Sequence, residues 1–245
     1  DSIDDFQNRR YGWRVEFLRR VQKFVVNQAD VVITPSRYFQ QLVSKWVKNP
    51  GKVKVIYNGI DLTTNYSLPT THSKSKVIIS AGRLVPWKGF DFLIELMRDL
   101  PDWKLVIAGD GPEYANLKSQ ISNLKLQDRV ELLGQIPRDE LMQKMSASGI
   151  FILNTSFESF SFQIVEAMSL GLPVVTTNIG NLSEIIENGV DGILVEPDNK
   201  SQFLDAINRL DRDDDFRKNI AEKAKMKAES FSISNTIKNL VGLLP

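Results

Sequence analysis

Two cationic residues in one glycine-bounded segment could bind a phosphorylated ligand. Arg83 and Lys88 lie within residues 82–89, which begin and end with glycine. An arginine offers a planar fork of donors and a lysine offers a compact point charge, a combination that suits a diphosphate. Gly82 allows the backbone to turn tightly in front of them. Taken alone, the segment is equally compatible with a basic surface loop.

Two carboxylates stand further along the chain, at the start of a predicted helix. Glu158 precedes serines at positions 159 and 161, and Glu166 lies just over one turn inside the helix. Ser159 and Ser161 predict an N-terminal cap, and the free amides of the first turn would hold an anion. Glu166 points toward the helix start, where it could accept hydrogen bonds from sugar hydroxyls. The spacing alone is equally compatible with two solvated surface charges.

A third segment, residues 109–113, carries two glycines and a proline. Gly109, Gly111 and Pro112 predict a tight turn from a strand into a helix, which brings the backbone close to any ligand. Neither this segment nor residues 82–89 shows the full G-x-G-x-x-G fingerprint of dinucleotide sites. A plain strand-to-helix turn is the more common meaning of such a segment.

Composition narrows the chemistry that these segments can serve. The 245 residues carry a formal net charge of +1, which gives no indication of a nucleic-acid partner. The absence of cysteine excludes disulfides, thiolate catalysis and cysteine metal sites in this chain. The single histidine, His72, lies in a polar run without nearby ligand residues, so we expect it to be solvated. No apolar run reaches the ~18 residues of a membrane span.

The elements that position these residues alternate between strands and helices from residue 77 onward. Short apolar strands are predicted at residues 77–81, 103–108, 130–133, 150–154, 174–176 and 192–195. Helices are predicted between them at residues 89–100, 113–124, 138–147, 162–170 and 183–187. This alternation predicts an α/β fold with a doubly wound parallel sheet, whose ligand crevice lies at the carboxyl ends of the strands. The predicted core positions of the helix after Glu158 are Ile164, Val165, Met168 and Leu170.

The first part of the chain follows a different rhythm. Strands are predicted at residues 30–34 and 53–57, around a helix over residues 36–47 that Ser36 caps. Residues 9–26 predict an amphipathic helix with apolar residues on one side and several arginines on the other. We favour a closing helix of a first domain, packed by its apolar side. Contact with an anionic membrane surface is the alternative, which liposome co-sedimentation would decide.

Five collinear segments resemble glycosyltransferase family 4, the group 1 glycosyltransferases, which have a GT-B architecture of two facing Rossmann-like domains. Residues 80–89 resemble the phosphate loop of that family, and Glu158 to Glu166 match its E-x7-E motif. Residues 179–192 continue the pattern. Residues 29–36 and 56–61 resemble the last strand of the first domain and the entry to the second. The resemblance spans roughly residues 14–240.

The resemblance implies a role for each matched residue. Arg83 and Lys88 would bind the diphosphate of a nucleotide-sugar donor and stabilise the departing nucleotide, with Glu158 near the donor sugar, and these three form the expected catalytic set. Glu166 would bind the ribose hydroxyls. The remaining donor-binding residues would frame the base, sugar and phosphates: Gly82, Gly109, Gly134, Ile136, Ser159, Phe160, Ser161 and Phe162. The family commonly has glycine at the two serine positions, a departure that bears on how closely this loop approaches the sugar.

The implied activity is retaining transfer of a sugar from a UDP- or GDP-linked donor to a glycan or lipid-linked acceptor, without a metal or other cofactor. The expected organisation is the end of an acceptor-binding N-terminal domain at residues 1–62, a linker at 63–76, a nucleotide-sugar-binding domain at 77–228 and a C-terminal helix at 229–245. The expected location is cytoplasmic, with peripheral contact at the inner face of the membrane as an addition.

Two further expectations concern how much of the reaction this chain performs. The chain begins at Asp1 and matches only the end of the acceptor domain, so we expect a fragment that binds nucleotide but transfers little sugar alone. A non-catalytic module that binds nucleotide sugars is the main alternative function. A nucleotide-sugar epimerase is another, and it would need no acceptor.

Overall fold

The computed structural model describes residues 12–62 and 75–243, which form two sheets surrounded by helices. The first part of the chain contains α1 (Trp13–Gln28), β1 (Val32–Thr34), α2 (Arg37–Ser44) and β2 (Val53–Val55). The second part contains β3 (Val77–Ala81), α3 (Phe90–Leu96), β4 (Lys104–Ala108), α4 (Tyr114–Asn123), β5 (Val130–Gly134), α5 (Arg138–Ser146), β6 (Ile150–Leu153), α6 (Phe162–Ser169), β7 (Val174–Thr177), α7 (Leu182–Ile185), β8 (Ile193–Val195), α8 (Lys200–Arg212), α9 (Asp214–Ala228) and α10 (Ile233–Val241).

The larger sheet has six parallel strands in the order β5-β4-β3-β6-β7-β8. The order runs outward from β3 in one direction and from β6 in the other. The two strands are neighbours although β4 and β5 separate them along the chain. This arrangement is the predicted doubly wound sheet, and its order reverses between β3 and β6. β1 and β2 form a separate parallel pair.

Successive residues of the strands supply the two faces of the large sheet, because side chains in a strand alternate in direction. Ile78 packs in a cluster with side chains from α3, α4 and α8, whereas Ile79 packs in a second cluster with side chains from α5, α6 and α9. The sheet is therefore covered on both sides, as its continuously apolar strands predict. The predicted core positions of α6 are all buried, namely Ile164, Val165, Met168 and Leu170.

The C-terminal helix returns to the end of the first part of the chain. The amide of Ile60 donates to the carbonyl of Phe231 over 2.8 Å, and the amide of Ile233 donates to the carbonyl of Ile60 over 2.9 Å. A Cβ atom at Gly59 would lie 2.6 Å from the Cα atom of Ile233, so only glycine permits this approach. The predicted strand at residues 53–57 ends at Val55, although the amide of Ile56 still donates to the carbonyl of Thr34 over 3.0 Å.

α1 presents its apolar side chains outward. None of its residues is buried among the described residues, and Trp13 is 76% exposed. The described residues therefore supply no packing partner for its apolar side, and the expectation that it closes a first domain stays a prediction. No helix in that part is long and apolar enough to cross a membrane.

The predicted strand and helix boundaries agree with the structure to within a few residues, and one helix differs in type at its end. The helix predicted over residues 89–100 ends at Leu96 and continues as a 3-10 turn over Met97–Asp99. His72, residues 9–11 of the predicted first helix and most of the predicted linker lie outside the described residues.

Candidate functional site

The candidate site lies where the strand order of the large sheet reverses. The loops after β3 and β6, residues 82–89 and 154–161, leave neighbouring strands at the carboxyl edge of the sheet. A crevice forms at such a point because the chain departs in opposite directions from the two strands. The sheet therefore brings the segment of the predicted cations next to the segment of the predicted carboxylates.

Three predicted glycines lie at the carboxyl ends of neighbouring strands: Gly82 and Gly109 directly follow β3 and β4, and Gly134 is the last residue of β5. The amide of Gly82 donates to the carbonyl of Ala108 over 3.0 Å, and the amide of Gly109 donates to the carbonyl of Gly134 over 2.8 Å. All three glycines have positive φ, and a Cβ atom at Gly109 would lie 1.9 Å from the carbonyl oxygen of Gly82. Their backbones thus form a row of hydrogen-bonded glycines, and a side chain at Gly109 would push Gly82 away.

Lys88 and Glu158 form an ion pair across the two loops. The Nζ atom of Lys88 donates to the Oε2 atom of Glu158, and each side chain is only 11% exposed. The other oxygen of Glu158 accepts the amide of Ser159 over 3.2 Å. The Nζ atom lies 4.0 Å from the place where a Cβ atom at Gly82 would stand. Lys88 therefore lies over the glycine row with its charge balanced by a carboxylate.

Hydrogen bonds hold these two loops together behind the ion pair. The hydroxyl of Thr155 donates to the carbonyl of Trp87 over 3.0 Å, and the amide of Ser156 donates to the same carbonyl over 2.8 Å. Gly89 adopts φ +58°, and a Cβ atom there would lie 2.3 Å from the carbonyl oxygen of Asn154. The distance between Lys88 and Glu158 is therefore set by backbone contacts on both sides of the pair.

The start of α6 faces the same crevice. Ser161 caps the helix, because its hydroxyl accepts the amide of Ile164 over 3.4 Å. The amides of Phe162 and Gln163 make no hydrogen bond within the described residues, so they are open to an anion. The prediction that Ser159 also caps this helix is wrong. Its amide donates to Glu158 instead, and its carbonyl accepts the side chain of Asn181.

Glu166 is a buried carboxylate rather than a surface charge. Its side chain is 8% exposed, and its Oε1 atom accepts a hydrogen bond of 2.7 Å from the Nε atom of Arg138. Arg138 is the first residue of α5, two residues after Ile136 in the loop that follows β5. Glu166 thus lies on the side of the predicted site that contains Ile136, a residue predicted to frame the base. Arg138, which the sequence analysis did not identify, holds it there.

The remaining predicted residues differ in exposure. The side chain of Arg83 is exposed and makes no hydrogen bond or ion pair within the described residues, so its guanidinium is available to a ligand. Ile136 is partly buried and packs against the apolar cluster under α5 and α6. Phe160 is buried in the same cluster, whereas the ring of its neighbour Phe162 is exposed and contacts it edge-on at 5.3 Å. Phe162 is thus available to a ligand, and Phe160 supports the loop.

One carboxylate that the site prediction missed joins the two parts of the chain. Glu184 accepts the amides of Arg37 and Tyr38, each over 2.8 Å, at the start of α2. It also accepts the hydroxyl of Tyr57 over 2.9 Å. A carboxylate at a helix N-terminus is stabilised by the free amides and the helix dipole. The sequence offered one signal, since Glu184 lies inside a segment that resembles the family, but its partners are distant in sequence.

The contact with Glu184 predicts unusual titration of Tyr57. Burial, followed by the hydrogen bond to Glu184 and the charge of that carboxylate, raises the pKa of Tyr57 from 10.0 to about 12. Because the folded state holds this proton more tightly than the unfolded state, the resulting stability is present below pH 10 and is lost as the pH rises toward 12. Tyrosinate absorbance compared between the wild type and Tyr57→Phe should reveal this late-titrating phenol. Glu184→Gln should return its pKa toward the ordinary value, and an unchanged titration curve would contradict the assignment.

Among the described residues, no three histidine, cysteine or acidic side chains group closely enough to hold a metal ion. The charges of the site are instead the cations and carboxylates already described. A doubly wound parallel sheet with these charges at its switch point defines a Rossmann-like nucleotide-binding protein.

Comparison with known proteins names the family. The family model for glycosyl transferases group 1 matches residues 69–227, and that for Glycosyltransferase Family 4 matches residues 3–64. The chain therefore belongs to the group 1 glycosyltransferases, as its motifs predict, and its fold is that of the GT-B enzymes.

Individual relatives agree with this assignment. An uncharacterized glycosyltransferase of Methanocaldococcus jannaschii is 32% identical over 229 residues, covering 86% of this chain and 59% of that protein. The N-acetylgalactosamine-N,N'-diacetylbacillosaminyl-diphospho-undecaprenol 4-alpha-N-acetylgalactosaminyltransferase of Campylobacter jejuni is 31% identical over 220 residues, covering 86% and 60%. The structure of Anabaena HepE in complex with UDP-glucose is 28% identical, with a TM-score of 0.82 over 92% of this chain and 67% of that one. The chain thus spans less than two thirds of the two curated relatives.

Proposed function

We propose that this chain forms the donor-binding part of a retaining glycosyltransferase, which transfers a sugar from a UDP- or GDP-linked donor to a glycan or lipid-linked acceptor. The observation that carries the proposal is the Lys88–Glu158 pair beside the open amides of α6. A cation and free amides at a switch-point crevice suit a diphosphate, and a carboxylate next to them suits sugar hydroxyls. UDP is supported by the complex of HepE, and a lipid-linked acceptor by the name of the Campylobacter enzyme.

In this proposal each part of the donor has its own partners. Arg83 closes onto the diphosphate from the solvent side, Lys88 contacts it from the glycine row, and both stabilise the charge that grows on the departing nucleotide. The base lies along the backbone of Gly134 and Ile136, and the ribose lies against Glu166. Because the chain supplies these cations itself, we propose that the reaction needs no metal, so that a chelator leaves the rate unchanged.

Calorimetric titration with UDP, GDP, ADP and their sugar conjugates tests the donor site. We expect one nucleotide to bind in the micromolar-to-millimolar range, and Arg83→Ala/Lys88→Ala to abolish measurable binding because both diphosphate contacts are lost. Arg98→Ala/Lys200→Ala is the matched control, since it removes the same charge from two exposed ion pairs outside the predicted donor contacts. Equal loss in both double variants would indicate a general charge effect. Wild-type protein that binds none of the nucleotides would contradict the proposal.

Product analysis tests the transfer itself. The retaining outcome predicts that the anomeric configuration of the donor sugar is kept in the product, which NMR of the glycoside would show. This chain alone is expected to bind nucleotide and to transfer little sugar, because acceptor positioning supplies much of the lowering of the barrier in such reactions. Robust transfer by the isolated chain would overturn that expectation, and binding without transfer in any assembly would favour the non-catalytic alternative.

A further inference from the structure

Arg138 makes two contacts that link the buried carboxylate of the site to the first part of the chain. Its Nε atom donates to Glu166 Oε1 over 2.7 Å, and its Nη2 atom donates to the carbonyl oxygen of Asp61 over 3.2 Å. Asp61 directly follows the residues that meet the C-terminal helix. A guanidinium is planar, so two of its nitrogens fixed in this way leave it little freedom to turn.

The pair leaves half of the carboxylate available. Oε1 of Glu166 accepts from Arg138, whereas Oε2 makes no hydrogen bond within the described residues. An ionised carboxylate only accepts hydrogen bonds, and its two oxygens together offer about four acceptor sites. The free oxygen and the unused lone pair of the other can therefore receive two neighbouring hydroxyls. The vicinal 2′- and 3′-hydroxyls of a ribose have this arrangement.

The burial of Glu166 makes a fixed cation necessary for this task. Its side chain is 8% exposed, and a buried carboxylate without a partner is unfavourable in its charged form. Arg138 supplies the compensating charge while its own side chain remains 40% exposed at the crevice edge. The arginine therefore compensates the buried charge and points the carboxylate in one direction.

We propose that Arg138 is a positioning residue for ribose recognition: it compensates the charge of Glu166 and orients it so that this carboxylate selects ribonucleotides over 2′-deoxyribonucleotides. The inference rests on the proposed function and deepens it, because it names the part of the donor that this pair selects. Arg138 acts through Glu166. Its loss should therefore remove the contribution of the 2′-hydroxyl and leave the diphosphate contacts at Lys88 in place.

Calorimetric titration of the full chain with UDP and with 2′-deoxy-UDP tests this role. We expect the wild type to prefer UDP by about tenfold, and Arg138→Gln to weaken UDP about tenfold while changing 2′-deoxy-UDP little, so that the preference nearly disappears. Glu166→Gln should give the same loss of preference. Arg138→Lys keeps the positive charge but not the planar guanidinium, so it should retain part of the preference for UDP. Arg98→Gln is the control from an exposed arginine–glutamate pair and should retain all of it.

The outcomes separate this role from others. Equal weakening of both ligands by Arg138→Gln would overturn the proposal and indicate a direct contact with the base or phosphate. A preference that survives in Arg138→Gln would also overturn it, as would a preference unaffected by Glu166→Gln. Wild-type protein that binds no nucleoside diphosphate would overturn the proposed function together with this inference. Circular dichroism of each variant checks folding. If Arg138→Gln is unfolded, Arg138→Lys tests the proposal instead: a partial loss of the preference for UDP over 2′-deoxy-UDP supports it, and an unchanged preference overturns it.

Discussion

Replacing Lys88 with methionine is expected to weaken the binding of UDP, or of whichever nucleoside diphosphate binds best, by about two orders of magnitude. The variant loses a charge-assisted contact to the diphosphate, typically worth about 1.5–3 kcal/mol. It also leaves Glu158 without its cation in a place where its side chain is 11% exposed. That carboxylate would then repel the incoming diphosphate, so the two effects add.

The ion pair allows the repulsion by an unpaired Glu158 to be measured separately from the loss of the lysine charge. Lys88→Met/Glu158→Gln removes both members of the pair, and we expect it to bind about tenfold better than Lys88→Met, because the unpaired buried charge is gone. Glu158→Gln alone should bind the nucleotide at least as well as the wild type, since Lys88 is freed from its carboxylate. Calorimetry on the four proteins completes the cycle.

A matched lysine controls for the total charge. Lys200 pairs with Asp99 on the surface, where the two side chains are 47% and 40% exposed. Lys200→Met should leave nucleotide affinity unchanged, because an exposed pair of this kind contributes little. If Lys88→Met and the double variant bind equally weakly, the carboxylate does not oppose the ligand and the explanation through Glu158 is wrong.

Replacing Gly109 with alanine is expected to lower the free energy of unfolding by about 3 kcal/mol or more. The new Cβ atom would lie 1.9 Å from the carbonyl oxygen of Gly82, and backbone cannot move aside as a flexible side chain can. The glycine also has φ +141°, which side chains disfavour. Because Gly82 lies beneath Lys88, we expect nucleotide binding to weaken as well. The unfolding midpoint in urea measures the first effect.

Gly189→Ala separates the close contact from the backbone strain. Gly189 also has positive φ, at +76°, but no described atom lies within 4 Å of the place where its Cβ atom would stand. Its alanine variant should lose only about 1 kcal/mol, from the left-handed backbone alone. Similar losses in the two variants would show that the close packing of the glycine row is not what stabilises this edge of the sheet.

The sequence by itself determined most of the fold. Short apolar runs alternating with helices predicted a doubly wound parallel sheet, and the sheet has that form because both of its faces are covered. The tight turns at Gly82 and Gly109 were predicted from residue type alone, since positive φ and close backbone approach both require glycine. Local rules work here because each depends on a few neighbouring residues. They were less reliable at the start of α6, where Ser159 and Ser161 looked alike and only Ser161 caps the helix.

The tertiary structure alone decided which charges meet. Lys88 and Glu158 are 70 residues apart, and they pair because β3 and β6 are neighbours in the sheet although two strands lie between them along the chain. Arg138 reaches Glu166 from another helix, 28 residues away. An ion pair between distant residues depends on the order of the strands and on the packing of the helices. Neither leaves a local pattern in the sequence, because each is a property of the assembled core.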